Sequence, residues 1–320
     1  MENNYEKYKN SLYGFVVGDA LGVPVEFSKR EVLKRKPLTE MEGFGIHQVP
    51  AGTWSDDTSM TLATIDSINE KGCIDYNDIM DKFSNWVNKG DYTSTGKFFD
   101  IGITTRKALA NYNNGLDPID CGGRTASDNG NGSLMRMLPF VIYSMEKELT
   151  EEDEIQLINE ASSITHAHEI SRLGCKIYCD FIKGLFNGAK LDELFDYLRE
   201  KDYLSYYSNA SIEAYRRILD GSIRYLNEDD VLSNGFVVST LEASLWSLYN
   251  SNDYSSAVLK AINLGSDTDT VGAITGSLAG AYYGNIPEKW TSKILNMELV
   301  NRLFDNLVNN LDNKEERTIK

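Results

Sequence analysis

The segment Gly265-Ser-Asp-Thr-Asp-Thr-Val-Gly272 sets two carboxylates, Asp267 and Asp269, and two hydroxyls, Thr268 and Thr270, into four consecutive positions. Anionic and neutral oxygens at this density are the ligands that hard divalent cations take. The same chemistry recurs far upstream in Gly52-Thr-Trp-Ser-Asp-Asp-Thr-Ser-Met60, where Ser55, Asp56, Asp57 and Thr58 precede Met60, Leu62, Ala63, Ile65 and Ile68 at roughly helical spacing. Each segment read alone is also a capped helix start, because Asp, Ser and Thr accept hydrogen bonds from the free amides of a first turn. Two such segments together point to one shared metal site. Four aspartates can meet in a folded interior only if cations neutralise them, and two divalent ions would do so.

Other polar loops carry side chains suited to chemistry. Pro24-Val-Glu26-Phe27 follows a helix-like stretch over 13–21, and a Gly/Pro-punctuated approach over 43–54 leads to the first Asp pair. Asn129-Gly-Asn-Gly-Ser133 is a further loop, with Leu134, Met135 and Met137 beyond it. Thr165-His166-Ala-His168 has an H-x-H spacing without a third ligand, and the chain holds only 3 histidines, which argues against zinc.

The elements that must position these groups read as helices. Apolar residues recur three or four apart over 57–70, 76–89, 100–112, 151–163, 168–186, 191–201, 211–225, 236–250, 254–264, 270–283 and 296–311. Alternating strand patterns are scarce, and the β-prone Phe236-Val-Val238 abuts a helical pattern. The expected fold class is all-α. No Pro/Gly/Ser-rich linker or repeat of solenoid period divides the chain, so a single domain over 1–320 is expected.

Composition narrows the function class. Of 320 residues, 41% are hydrophobic and 25% charged, enough for a large core. Acidic side chains outnumber basic ones 48 to 32, a formal charge of -16 that argues against general affinity for nucleic acid or anionic membranes. A local anion pocket remains compatible with it. The apolar patch over 12–17 is cut short by Asp19 and is too short to span a bilayer, and the 4 cysteines form no CxxC pair. A soluble, cytoplasmic, monomeric protein with reduced thiols is expected.

Four blocks, GDALG at 18–22 continuing to Glu26, WSDDT at 54–58, GNGSLMR at 130–136 and GSDTDT at 265–270, together resemble the ADP-ribosylglycohydrolases. STGKFFDIGITT at 94–105 and TLEASLW at 240–246 look especially like the bacterial branch that reactivates dinitrogenase reductase by removing ADP-ribose from arginine. The matching blocks run from about residue 13 to 284, in the family's order.

The resemblance implies an all-α orthogonal multi-helix bundle and two magnesium or manganese ions. It places Ser55, Asp56 and Asp57 in a first metal-ligand group, with Ser55 where Thr is common, and Asp267, Asp269 and Thr270 in a second. It gives Glu26 a part in catalysis or in orienting water. Asp100, alternatively a helix cap, matches a position tied to the guanidinium of arginine-linked substrates. Asn131, Gly132 and Ser133 resemble the ADP-ribose loop. His166 is set near the substrate, with a helix-start role as the other reading, and Phe236 stands where bacterial relatives carry Tyr, keeping an aromatic wall without the hydroxyl.

The implied substrate is an ADP-ribosylated protein and the implied product ADP-ribose. Cleavage at the anomeric carbon places oxocarbenium-like charge on the ribose, by direct attack of water or through a ring-opened sugar. Hydrolysis of serine-linked or free ADP-ribose derivatives, or a non-catalytic ADP-ribose-binding role, are the alternative readings. The full set of aspartates favours an enzyme, and Asp100 with its block favours arginine.

Overall fold

The computed structural model describes residues 4–312. Among the described residues, sixteen α-helices make up the architecture. In the first half of the chain these are α1 (Tyr5–Gly22), α2 (Arg30–Arg35), α3 (Asp56–Lys71), α4 (Tyr76–Lys89), α5 (Ile103–Asn113), α6 (Leu138–Glu146) and α7 (Glu151–Ser163). The second half adds α8 (Glu169–Phe186), α9 (Leu191–Glu200), α10 (Asn209–Ala214), α11 (Arg216–Leu219), α12 (Val237–Tyr249), α13 (Tyr254–Asn263), α14 (Thr268–Tyr283), α15 (Glu288–Thr291) and α16 (Met297–Asp312). Strand-like pairing among the described residues is confined to two isolated bridges, Gly123 with His166 and Gly130 with Phe236. The all-α expectation holds.

Most helices fall where the apolar periodicity predicts, and two expected spans differ for local reasons. The span expected over 100–112 starts only at Ile103, because Asp100 lies in the left-handed region at φ 57 and cannot enter a right-handed helix. Gly102, not Asp100, is the N-cap of α5, so the helix-cap reading of Asp100 is set aside. The span expected over 211–225 is broken twice. Tyr215 leaves helical geometry at the end of α10, its hydroxyl donating to the Ile170 carbonyl at 2.8 Å, and Gly221 turns the chain at φ 76.

The pair that matters most for the site is α1 against α14. Glycines spaced four apart face one another in antiparallel order: a Cβ on Gly14 would lie 2.2 Å from the Gly276 carbonyl oxygen, and one on Gly18 would lie 2.1 Å from that of Gly272. At the end of the row a Cβ on Gly22 would sit 2.4 Å from the Asp269 Cα. Only bare backbone permits this approach. It brings the C-terminal turn of α1, with Asp19, against the N-terminal turn of α14, with Asp269. Buried apolar side chains form one connected cluster around this pair, from Tyr8 to Leu307. No helix among the described residues is long and apolar enough to cross a membrane.

Candidate active site

Helix α3 begins at Ser55, whose side chain accepts from the Asp57 amide at 3.2 Å as an ordinary N-cap. A second cap comes from outside the helix. Asp19 accepts from the Ser55 amide at 2.9 Å, from the Thr58 amide at 3.1 Å and from the Thr58 hydroxyl at 2.6 Å. Asp19 is fully buried, and burial raises its pKa to about 6 even though these donors oppose the shift. Helix α14 begins differently. Asp267 occupies the N-cap position but its side chain makes no capping bond, and instead accepts from Asn131 Nδ2 at 2.8 Å.

The two helix starts meet. The Thr270 hydroxyl donates to Asp57 Oδ2 at 3.2 Å, and Ser55 Oγ donates to the same oxygen at 3.0 Å. Asp57 Oδ1 is buried and meets no donor. Carboxylate oxygens of Asp19, Asp57 and Asp269 lie within 4.8 Å of one another, as do those of Glu26, Asp267 and Asp269 and those of Asp56, Asp100 and Asp269. Asp269 is common to all three groups. Burial, then mutual repulsion, raises the pKa of Asp56, Asp57 and Asp269 well above the usual carboxylate range. The positive ends of two helix dipoles offset part of this charge, but a buried carboxylate oxygen without a donor remains. The donor set and that orphaned oxygen fit divalent cations bound by oxygen ligands.

Glu26 arrives through the segment after α1. Phe27 donates its amide to the Ser266 carbonyl at 2.6 Å and Ser266 donates its own to Ser28 at 2.8 Å, which stitches residues 26–28 to the approach of α14. Burial raises the Glu26 pKa to about 7, with Asp100 and Asp267 adding to the shift. Its carboxylate is hydrogen-bonded to His47 Nε2, and that bond raises the His47 pKa in turn. Asp100 closes this side of the site; its own pKa is raised, chiefly by burial.

The loop at 129–133 forms the opposite side. The Asn131 amide donates to the Gly235 carbonyl and the Val237 amide to the Asn129 carbonyl, both at 3.0 Å, so the loop pairs with the start of α12 and lies beside Phe236. Phe236 is 40% exposed, an aromatic surface beside the loop. Asn131 Nδ2 spans Thr240 Oγ1 and Asp267 Oδ2, tying the loop to the carboxylates. Gly132 packs on His166, where a Cβ would come 2.8 Å from His166 Cε1. Ser133 differs from its neighbours: its hydroxyl is turned into the core, accepting from Ser162 Oγ at 2.9 Å and facing Cys175 Sγ at 3.4 Å.

A family model described as ADP-ribosylglycohydrolase matches residues 1–317. The chain belongs to the ADP-ribosylglycohydrolase family. This ADP-ribosylglycohydrolase is 32% identical over 308 residues to the ADP-ribosylarginine hydrolase Tri1 of Serratia proteamaculans, covering 94% of this chain and 79% of that protein. It is 27% identical to the ADP-ribosyl-[dinitrogen reductase] glycohydrolase of Rhodospirillum rubrum, covering 91% of this chain and 90% of that one. A solved structure described as an ADP-ribosylglycohydrolase-related protein complex superposes with a TM-score of 0.81 at 30% identity, over 97% of this chain and 100% of that chain.

Two side chains of this ADP-ribosylglycohydrolase site were not assigned from the sequence. Asp19 lies inside the GDALG block and had a visible signal, a carboxylate interrupting an otherwise apolar helical face. His47 sits in the approach loop over 43–54, and nothing in its neighbours announces that the loop folds back onto Glu26.

Proposed function

We propose that the chain is a divalent-metal-dependent hydrolase that removes ADP-ribose from arginine side chains of modified proteins. The observation carrying this reading is the convergence of Asp56, Asp57, Asp267 and Asp269 with Glu26 and Asp100 in overlapping groups that share Asp269, with a buried Asp57 oxygen lacking a protein donor. Ser55, Asp56 and Asp57 with Asp267, Asp269 and Thr270 would hold two magnesium or manganese ions. Such ions would neutralise the carboxylates and supply Lewis-acid chemistry at a sugar oxygen.

The chain's own residues account for the remainder of the reaction. Hydrolysis breaks the bond between the anomeric carbon and a guanidine nitrogen, adds the oxygen of water to that carbon and returns a proton to the leaving nitrogen. Glu26, titrating near neutrality, can hold that proton between water and leaving group. His47 keeps the Glu26 carboxylate in place. Asp100 is placed to pair with the guanidinium in a planar, charge-assisted geometry. Asn131, its own amides bonded within the protein, holds the loop so that the Gly132 amide can meet the diphosphate, His166 lies under that loop, and Phe236 gives the nucleoside or ribose an aromatic wall.

The relatives named as ADP-ribosylarginine hydrolases favour arginine over serine as the linkage. The test is a panel of arginine-, serine- and cysteine-linked ADP-ribosylated substrates, each with EDTA and with magnesium or manganese restored. Release of ADP-ribose from the arginine-linked substrate alone, and only with metal, is the expected result. Cleavage confined to the serine-linked substrate would overturn the arginine reading.

A further inference from the structure

Arg136 ends the GNGSLMR block and is fully buried. Its Nη2 donates to the Ala161 carbonyl at 2.9 Å and to Thr165 Oγ1 at 2.7 Å, while Nε and Nη1 have no partner. Its guanidinium lies 5.4 Å from the centre of the Phe83 ring, and among the described residues no carboxylate pairs with it. A buried cation without a carboxylate partner is costly, so its place beneath the 130–132 loop calls for a physical reason.

That reason runs through Thr165. Thr165 Oγ1 lies 2.9 Å from His166 Nδ1. A guanidinium can only donate, so Thr165 is an acceptor towards Arg136. If His166 also donated from Nδ1, the fully buried Thr165 hydroxyl would need another acceptor, and it has none among the described residues. The arrangement that satisfies both the Thr165 hydroxyl and Nδ1 has Thr165 donating to Nδ1, which leaves the ring proton on Nε2. Burial, reinforced by Arg136, pushes the His166 pKa down to about 3, so the ring stays neutral.

The Nε2 edge lies against the two glycines of the loop. It would be 3.4 Å from a Cβ on Gly130 and 3.3 Å from one on Gly132, and it has no hydrogen-bond partner within the protein among the described residues. Side chains at either position would cover it. We propose that Arg136 and Thr165 are positioning residues that fix the tautomer of His166, so that Nε2–H is presented through the 130–132 loop to the diphosphate of a bound nucleoside diphosphate sugar. Arg136 at the same time supplies the local positive potential that a diphosphate needs beside a cluster of carboxylates in a chain of net charge -16. The inference rests on the ADP-ribose reading above.

The test uses the full chain with Thr165→Val, which removes the hydroxyl at nearly constant shape, and Thr165→Ser, which keeps it. Heteronuclear NMR of histidine-labelled, ligand-free protein reads the ring protonation, and calorimetry reads the affinity for ADP-ribose. The wild-type His166 ring is expected to be neutral with its proton on Nε2. Thr165→Val is expected to lose the single fixed ring state and roughly tenfold in ADP-ribose affinity, the worth of one hydrogen bond to a charged group. Thr165→Ser restores both. A wild-type proton on Nδ1, or wild-type ADP-ribose affinity in Thr165→Val, overturns the positioning role. Failure of the wild-type chain to bind ADP-ribose overturns the ligand assignment and the hydrolase reading with it, whereas the ring spectrum of the free protein is read independently of either.

Discussion

The hydroxyl of Thr270 donates to Asp57 Oδ2 at 3.2 Å, joining the first turns of two helices whose residues are 213 positions apart in the chain. The bond orients one face of Asp57 and leaves its second oxygen buried without a donor. That oxygen is where like-charge repulsion and incomplete hydrogen bonding fall on one atom, and where a cation would relieve both.

Replacing a ligand should therefore separate stability from activity. Asp57→Asn, and alanine at Asp56, Asp267 or Asp269, should abolish metal-dependent hydrolysis. The metal-free Asp57→Asn protein should be as stable as wild type or more so, by on the order of 1–3 kcal/mol, because an unpaired buried charge has gone. Thermal melts with EDTA and with manganese measure this: wild type should gain stability on adding metal and the variant should not. Full activity in EDTA would refute the metal reading.

The pH dependence of the metal-free protein follows from the raised carboxylates. Glu26 rises from 4.5 to about 7 and Asp19 from 3.8 to about 6 on folding, both chiefly through burial, so the folded state holds these protons more tightly than the unfolded chain. Their contribution is fully present below the unfolded values and is lost as pH rises through 6 and 7. Denaturant titrations of EDTA-treated protein should show stability falling by on the order of a few kcal/mol between pH 5 and pH 8. Saturating manganese should flatten that slope, and an equal slope with and without metal would argue against ligation at this cluster.

Asp100 allows linkage specificity to be tested apart from folding. Asparagine tolerates the left-handed backbone at φ 57, so Asp100→Asn should keep the loop while losing the charge. Arginine-linked substrate should lose the equivalent of roughly 2–4 kcal/mol in kcat/KM, the cost of leaving a guanidinium without its anionic partner. ADP-ribose, which has no guanidinium, should bind nearly as before by calorimetry. Wild-type cleavage of arginine-linked substrate by this variant would remove Asp100 from recognition.

The 129–133 loop should prove intolerant of bulk for a reason internal to the protein. A Cβ on Gly132 would sit 2.8 Å from His166 Cε1 and 3.0 Å from Thr105 Oγ1, so Gly132→Val must displace the loop or the ring before any ligand arrives. ADP-ribose affinity should fall at least about tenfold, since a displaced loop misaligns several hydrogen bonds at once. Equal affinity in wild type and variant, read by calorimetry, would take the loop out of the site.

The contact between α1 and α14 links fold to site. With a Cβ 2.1 Å from the Gly272 carbonyl oxygen, Gly18→Ala should force the helices apart, at a cost of roughly 3 kcal/mol or more. Because Asp19 and Asp269 ride on these helices, manganese affinity should weaken in any fraction that folds. Urea unfolding and metal titration together check it; unchanged values in both would mean the helices can separate without consequence.

Much of this was legible in the chain itself. Apolar periodicity is a local property, and it located α3, α4, α7, α8 and α14 to within two residues because each buries one face against a core. Oxygen-rich helix starts at Ser55–Asp57 and Asp267–Thr270 were also visible as sets of candidate ligand oxygens, since donor type is written in residue type. What tertiary structure alone decided was proximity and direction. The four-residue spacing of Gly14, Gly18 and Gly22 meant nothing until Gly276, Gly272 and Asp269 lay opposite, and only the meeting of α1 with the start of α3 turned Asp19 from a break in an apolar run into a helix cap. His47 reached Glu26 through a folded loop, and the Ser133 hydroxyl turned into the core while Asn131 reached across to Asp267. Side-chain direction and long-range contact depend on where distant backbone comes to rest, which no local pattern of residues encodes.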